Sequence, residues 1–196
     1  MVDVISEGAH GEAAVTHIEV SEADSKFDIL RAAINSRRAG AVGVKAGRYA
    51  QLRVGGSMVM SDTDMEKESC REALDLARGD VLIGGLGLGM ITLPILSKAT
   101  VRSVTVIEES ADVIALIEPQ LRAFSADAAK LTVRRGDVFR WIPGATKRFD
   151  FIYMDVWSDI CTDNLREIMK LHAKYRRYLR RGGKVRSWMH DELRGR

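Results

Sequence analysis

The chain has 196 residues, and 30 Lys and Arg against 27 Asp and Glu leave a formal net charge of +3 at pH 7. With 46% hydrophobic and 29% charged residues it reads as one ordinary globular domain with a full core, which excludes collagen-like and disordered classes. No apolar run approaches the roughly eighteen residues of a membrane span, the opening Met1-Val-Asp-Val-Ile-Ser-Glu-Gly8 is no secretion signal, and Cys70 and Cys161 lack C-x-x-C spacing, so the expectation is a cytoplasmic protein with reduced thiols and no metal site.

Taken in chain order, residues 1–14 are rich in Gly, Ala and Glu and predict a loose start. Thr16 to Val20 predicts a short strand. Ser21 opens a helix through an S-x-x-D cap to Asp24, running to about Arg38 and ending at Gly40. Residues 41–60 read as short antiparallel strands punctuated by Gly47 and Gly55-Gly56. Residues 61–78 predict one helix. The division expected is therefore an N-terminal helix with antiparallel strands over 1–60, and a parallel α/β domain over 61–196.

The most informative stretch follows. Asp80-Val-Leu-Ile-Gly-Gly-Leu-Gly-Leu-Gly-Met90 is an apolar strand ending in three alternating glycines, Gly85, Gly87 and Gly89. Val104-Thr-Val-Ile-Glu-Glu-Ser110 is a second strand ending in a carboxylate, Glu108. In a parallel sheet these ends lie side by side at the ligand crevice, where glycine admits a ligand to the backbone and an acid accepts bonds from ribose hydroxyls. The spacing is G-x-G-x-G, with Met90 where the third glycine of a dinucleotide fingerprint falls, and no phosphate-cradling P-loop is present. A third strand ends at Gly136-Asp137, and Phe149 to Met154 reads as a buried strand with Asp155 at its tip. The reading is a nucleoside-binding, doubly wound parallel sheet with a small N-terminal α+β extension.

Toward the C-terminus, residues 164–179 carry Leu165, Ile168, Met169, His172, Tyr175 and Leu179 at helical spacing, which makes His172 a core histidine. Arg180-Arg-Gly-Gly183 is expected to stop that helix, and Lys184 to Met189 to form the fifth strand. The basic residues between Lys170 and Arg186 suit a solvated helix face, so nucleic acid is not indicated. The sheet edge left by the last strand is a natural place for homodimer pairing.

Four successive strand ends carrying Gly85/Gly87, Glu108, Asp137 and Asp155 resemble the class I S-adenosylmethionine (AdoMet) dependent methyltransferase superfamily. Val81-Leu-Ile-Gly-Gly-Leu-Gly-Leu-Gly89 and Val104-Thr-Val-Ile-Glu-Glu-Ser-Ala-Asp-Val-Ile114 resemble the V-L-I-I-G-G-G-D-G and V-T-V-V-E-I-D-P-E-V-I of its spermidine-synthase-like branch, over residues 52–187. That resemblance implies a shortened class I Rossmann-like fold lacking the terminal antiparallel hairpin. It also implies AdoMet as cofactor, with Glu108 on the ribose, Gly85, Gly87 and Gly89 beside the methionine portion, and Asp137 with Val138 on the adenine. Asp155 would be the catalytic group, orienting and deprotonating an acceptor, with Trp157 and Asp159 lining the acceptor pocket.

The departures are equally specific. Leu88 stands where aminopropyltransferases carry the acid of G-G-G-D-G, and Ile83 where many methyltransferases carry one, so Asp62 or Asp64 becomes a candidate partner for the methionine end. The D-S-x-D-P pattern of polyamine synthases is absent. The sequence therefore favours a methyltransferase acting on a small or medium acceptor. The alternatives are an aminopropyltransferase and a non-catalytic nucleoside-binding module.

Overall fold

The computed structural model describes residues 1–26, 44–158 and 161–190. Its first layer is an antiparallel sheet of β1 (Gly8–His10), β2 (Ala13–Val20), β3 (Gly47–Val54) and β4 (Ser57–Ser61), in that spatial order. The turn between β3 and β4 is Gly55-Gly56, with φ of 57° and 79°, the left-handed backbone that glycine adopts most cheaply. Two short helices follow, α1 (Asp64–Ser69) and α2 (Arg71–Leu76), broken at Cys70 where a single helix was expected.

The second sheet is parallel: β5 (Gly79–Gly84), then α3 (Thr92–Leu96), β6 (Val101–Glu108), α4 (Ala111–Phe124), β7 (Leu131–Arg135), β8 (Phe149–Met154), α5 (Thr162–Arg176) and β9 (Leu179–Ser187). Spatial order is β7-β6-β5-β8-β9. The chain winds outward from β5 on one side, then returns to start β8 on the other. That reversal opens a crevice beyond the C-terminal ends of the central strands. The Rossmann-like doubly wound sheet and its N-terminal extension are thus as the sequence implies.

Alternation explains the layering. Val81 and Ile83 of β5 pack with Val104, Val106, Ile117 and Leu121 on one face. Leu82 faces the other way, onto Phe149, Ile152, Leu171 and Tyr175. Both faces are covered, as parallel sheets require. The first core continues into the antiparallel sheet through Ile5, Ala13, Val15, Ala50 and Leu52. One apolar cluster thus spans both sheets.

Several expectations are corrected. Residues 1–14 are not loose: Ile5 is wholly buried, and β1 is tied to α4 by the bonds from Ser6 N to Gln120 Oε1 (2.8 Å) and Glu12 N to Asp112 Oδ2 (3.0 Å). A Gly/Ala-rich segment can order when small residues let it lie flat on a helix. Ser21 does cap a helix, accepting from Asp24 N at 3.2 Å, and the expected run to Gly40 lies outside the described residues beyond Lys26. Met169 is 55% exposed, whereas Leu171 is buried beside Ile168 and Tyr175. The strand after α5 begins at Leu179, ahead of the glycines, because Arg180 is drawn into an ion cluster described below. His172 is buried and bonds Ser187 Oγ at 2.9 Å, as a core histidine should.

Candidate active site

The parallel ladder continues one residue past the strand ends. Gly85 N donates to Ile107 O (2.8 Å), Gly136 N to Glu108 O (2.9 Å), Asp155 N to Gly84 O (2.8 Å) and Trp188 N to Met154 O (2.9 Å). These bonds fix the tips of all five strands relative to one another. At Gly85 a side chain has no room, since a Cβ there would lie 2.0 Å from the Asp155 carbonyl oxygen. The glycine turn is thus pressed against the tip of β8, which brings Asp155 beside it.

A cleft of about 610 Å³ opens over these tips, within the usual range for small-molecule sites. Gly85, Gly87, Glu108, Asp137, Val138, Asp155 and Trp157 all line it, and the antiparallel sheet contributes Leu52, Val54, Val59 and Met60 as a roof. Most of the residues singled out from sequence therefore converge. Gly89 does not: it is buried, and a Cβ there would strike Leu121 Cδ1 at 2.5 Å, so it serves the packing of the turn on α4. Asp159 lies outside the described residues.

Two of the acids in the cleft, Glu108 and Asp137, are positioned by backbone amides. Glu108 accepts from Leu86 N through Oε2 and from Ser110 N through Oε1, both at 2.8 Å. Each carboxylate oxygen keeps a lone pair, so a vicinal diol can still be received. Asp137 Oδ1 accepts from Phe139 N at 2.7 Å, closing a tight turn. The Val138 carbonyl takes bonds from Tyr175 Oη (2.8 Å) and Lys174 Nζ (3.0 Å), which hold the Asp137 loop on α5. Trp157 donates its indole N–H to Glu167 Oε2 at 2.8 Å and is fixed at the cleft mouth.

Asp155 differs from all of these. Among the described residues no hydrogen bond reaches its carboxyl group. Burial, with the neighbouring Glu66 charge adding to it, pushes its pKa up to about 7. Cleft carboxylates with elevated pKa are frequent at catalytic sites.

The expected contribution of Asp62 or Asp64 is not found. Asp62 is 1% exposed, accepts from Ala50 N at 2.7 Å and binds the Met1 ammonium. Asp64 pairs with Lys45 Nζ at 2.9 Å on the surface. Neither lines the cleft, and Leu88 and Ile83 are wholly buried in the core. Met60 instead approaches the turn: its sulfur accepts from Leu88 N at 3.3 Å and lies where a Cβ on Gly87 would fall. Sequence reasoning also missed Glu66, Ser69 and Trp188, which wall a second cavity that shares Asp155 with the cleft. Met65, Glu66 and Ser69 share one face of α1, so the signal was a helical period that went unread.

Three cations of the basic C-terminal stretch have structural employment. Lys174 is spent on the Val138 and Phe139 carbonyls, Arg186 on Glu72 (2.8 Å), and Arg180 on Asp80 and Asp150, each at 2.6 Å.

No family model matches the sequence, and no curated protein matches it. Among solved structures, the chain is similar to the glycopeptide N-methyltransferase MtfA complexed with sinefungin, at 26% identity and a TM-score of 0.46, over 60% of this chain and 47% of that one. It is similar to the CcbJ methyltransferase from Streptomyces caelestis at 19% identity and 0.48, over 62% and 50%. A third is an S-adenosylmethionine-dependent methyltransferase from Clostridium acetobutylicum, at 20% and 0.43, over 63% and 50%. The chain spans about half the length of these structures.

Proposed function

We propose that the chain is an AdoMet-dependent methyltransferase acting on a small or medium acceptor. One observation carries this reading: Gly85 and Gly87, Glu108, Asp137 with Val138, and Asp155 enclose a single cleft, in the order in which the strands follow one another. The donor set suits the cofactor. Glu108 would receive the ribose hydroxyls, the loop of Asp137 and Val138 would hold the adenine, and the glycine turn would border the methionine portion. When bound, the sulfonium group supplies an electrophilic methyl.

Asp155 then has two tasks. It orients the acceptor's lone pair toward the cleft, and it accepts the acceptor's proton. A carboxyl group with a pKa of about 7 is a stronger base than an ordinary aspartate and is still substantially ionised at neutral pH. Trp157, bonded to Glu167, walls this corner of the cleft.

The sequence likeness to the spermidine-synthase-like branch supports kinship with that scaffold. Aminopropyl transfer gains no support from the cleft, because the wholly buried Leu88 stands where that donor's ammonium is normally received. Among the described residues no helix is long and apolar enough to cross a membrane, and Cys70 and Cys161 are free thiols. We place the protein in the cytoplasm on the cysteines. Homodimer pairing along the β9 edge stays a proposal that the exposed ladder supports.

The test is calorimetry with AdoMet, its decarboxylated form and S-adenosylhomocysteine. Binding of AdoMet and S-adenosylhomocysteine, with the decarboxylated form weaker, is expected. Preference for the decarboxylated form would point to aminopropyl transfer, and silence toward all of them would end both enzyme readings.

A further inference from the structure

We propose that the smaller cavity beyond Asp155 is the acceptor site, and that it admits an organic amine: an apolar body carrying one ammonium nitrogen. The proposal rests on the methyl-transfer reading above and names its substrate class.

Position is the first argument. The cavity has a volume of about 250 Å³ and adjoins the larger cleft, sharing Val59, Met60, Asp155, Trp157 and Ser158 with it. A molecule seated there meets the occupant of the cleft across Asp155. At roughly 30 Å³ per water molecule of liquid, the space equals about eight waters. That fits a small molecule, or one side-chain-sized portion of a larger one.

The second argument is the chemistry of the wall. Among the described residues its charged groups are Glu66 and Asp155, its other polar side chains are Ser69, Ser158 and the Cys70 thiol, and no Lys, Arg or His lines it. Burial raises the Glu66 pKa, while its bonds from Ser61 Oγ (2.7 Å) and Ser61 N (2.9 Å) hold it in place and oppose that rise. Two carboxylates lining one cavity repel each other, and a cation between them relieves both. An anionic acceptor would meet that repulsion with nothing to offset it. Cys70 is no competitor, since burial pushes its thiol up to about 12 and keeps it protonated.

The rest of the wall suits the body of such a molecule. Met65, Met90, Trp157 and Trp188 supply polarizable sulfur and indole surface, which attracts an organic cation as well as its apolar portion. Trp188 is fixed by its backbone bond to Met154 O (2.9 Å) and its indole bond to Ser69 Oγ (2.9 Å). The cavity is therefore preorganised on four elements: β4, α1, the tip of β8 and the tip of β9.

The chemistry balances. The ammonium gives one proton to the Asp155 carboxylate and becomes a neutral amine. Its nitrogen then forms a bond to the methyl carbon as the carbon–sulfur bond breaks, its electron pair staying on sulfur. Two cations enter, and one methylated ammonium, one neutral thioether and one proton, released from Asp155 to solvent, leave.

The experiment is calorimetry on the full chain with 2-phenylethylamine, 2-phenylethanol and phenylacetate, each with and without S-adenosylhomocysteine. The amine is expected to bind at least tenfold more tightly than the alcohol, and phenylacetate not at all. Glu66→Gln, which keeps an acceptor for Ser61, should weaken the amine at least fivefold while S-adenosylhomocysteine binding holds within twofold. Met65→Lys places a cation at a position 62% exposed on the rim, where folding is not at stake, and should weaken the amine as well. Equal affinity for amine and alcohol, preference for phenylacetate, or an amine affinity indifferent to both substitutions would overturn the proposal. If S-adenosylhomocysteine binds in those cases, the methyltransferase reading survives alone. If it does not bind while the amine does, that reading falls and the cavity stands as an amine site.

Discussion

The two ends of the parallel sheet carry the same residue type under opposite conditions. At the N-terminal end, the second residue of each of four strands is charged: Arg102 on β6, Asp80 on β5, Asp150 on β8 and Arg180 on β9, side by side in the order Arg, Asp, Asp, Arg. Arg102 lies 3.0 Å from Asp80 and 2.9 Å from Asp150, and Asp150 also accepts from Asp80 N at 2.7 Å. Burial alone would raise the Asp80 pKa, but bonds from Arg102, Ser103 and Arg180 outweigh it and bring the value down to about 2. At the C-terminal end, neither a cation nor a hydrogen bond reaches the Asp155 carboxyl group among the described residues, and its pKa rises to about 7. Among the described residues the carboxylates in this row are paired at one end of the sheet, and Asp155 is unpaired at the other, the contrast expected of a group reserved for a ligand under the proposed function.

That contrast breaks most sharply at Asp155. Asp155→Asn should lower turnover by roughly 10²–10⁴-fold, the range for loss of a general base, while S-adenosylhomocysteine affinity stays within about threefold. A loss of affinity as large as the loss of turnover would make Asp155 a binding residue instead. At the other end, Asp150→Ala removes a bond to Asp80 N and two guanidinium partners. Because both guanidinium groups are substantially exposed, the expected cost is only about 1–2 kcal/mol in denaturant unfolding, with ligand affinity unchanged.

The pH dependence of stability should separate the ends by sign. The folded-state pKa of Asp155 is raised, so the stability linked to its proton is present below about 4 and is lost as pH rises toward about 7. Asp155→Asn should therefore gain in Tm over the wild type across that window, on the order of several degrees. The folded-state pKa of Asp80 is depressed, so its contribution is present above about 4 and is lost as pH falls toward about 2. In Arg180→Met that acid-side loss should shrink. Parallel profiles for both variants would erase the distinction.

Much of this geometry was legible in the chain. The strand-end residues Gly85, Glu108, Asp137 and Asp155 were found because a buried parallel strand is an apolar run, and its C-terminal neighbour must face the crevice. Gly89 looked equivalent to Gly85 and Gly87, yet positive φ alone does not reveal which side of a turn meets ligand and which meets Leu121. The Arg-Asp-Asp-Arg row could have been read by aligning strand starts, but Arg180 was assigned to a helix end because Gly182 and Gly183 look like a stop signal. Those glycines lie inside β9. Asp62 and Asp64 attracted notice ahead of Glu66 because charge was read without periodicity. On α1, Glu66 shares a face with Met65 and Ser69, and that face meets the cavity.

The central claim is that the C-terminal strand tips form a nucleoside site anchored by Glu108. It is tested most directly by the S-adenosylhomocysteine dissociation constant of the wild type against Glu108→Ala, with Arg181→Ala, exposed near the start of β9 at the opposite end of the sheet, as a reference. One-to-one binding by the wild type and the reference, weakened at least thirtyfold in Glu108→Ala, is the predicted result. No binding by the wild type, or equal affinity in Glu108→Ala, would contradict it.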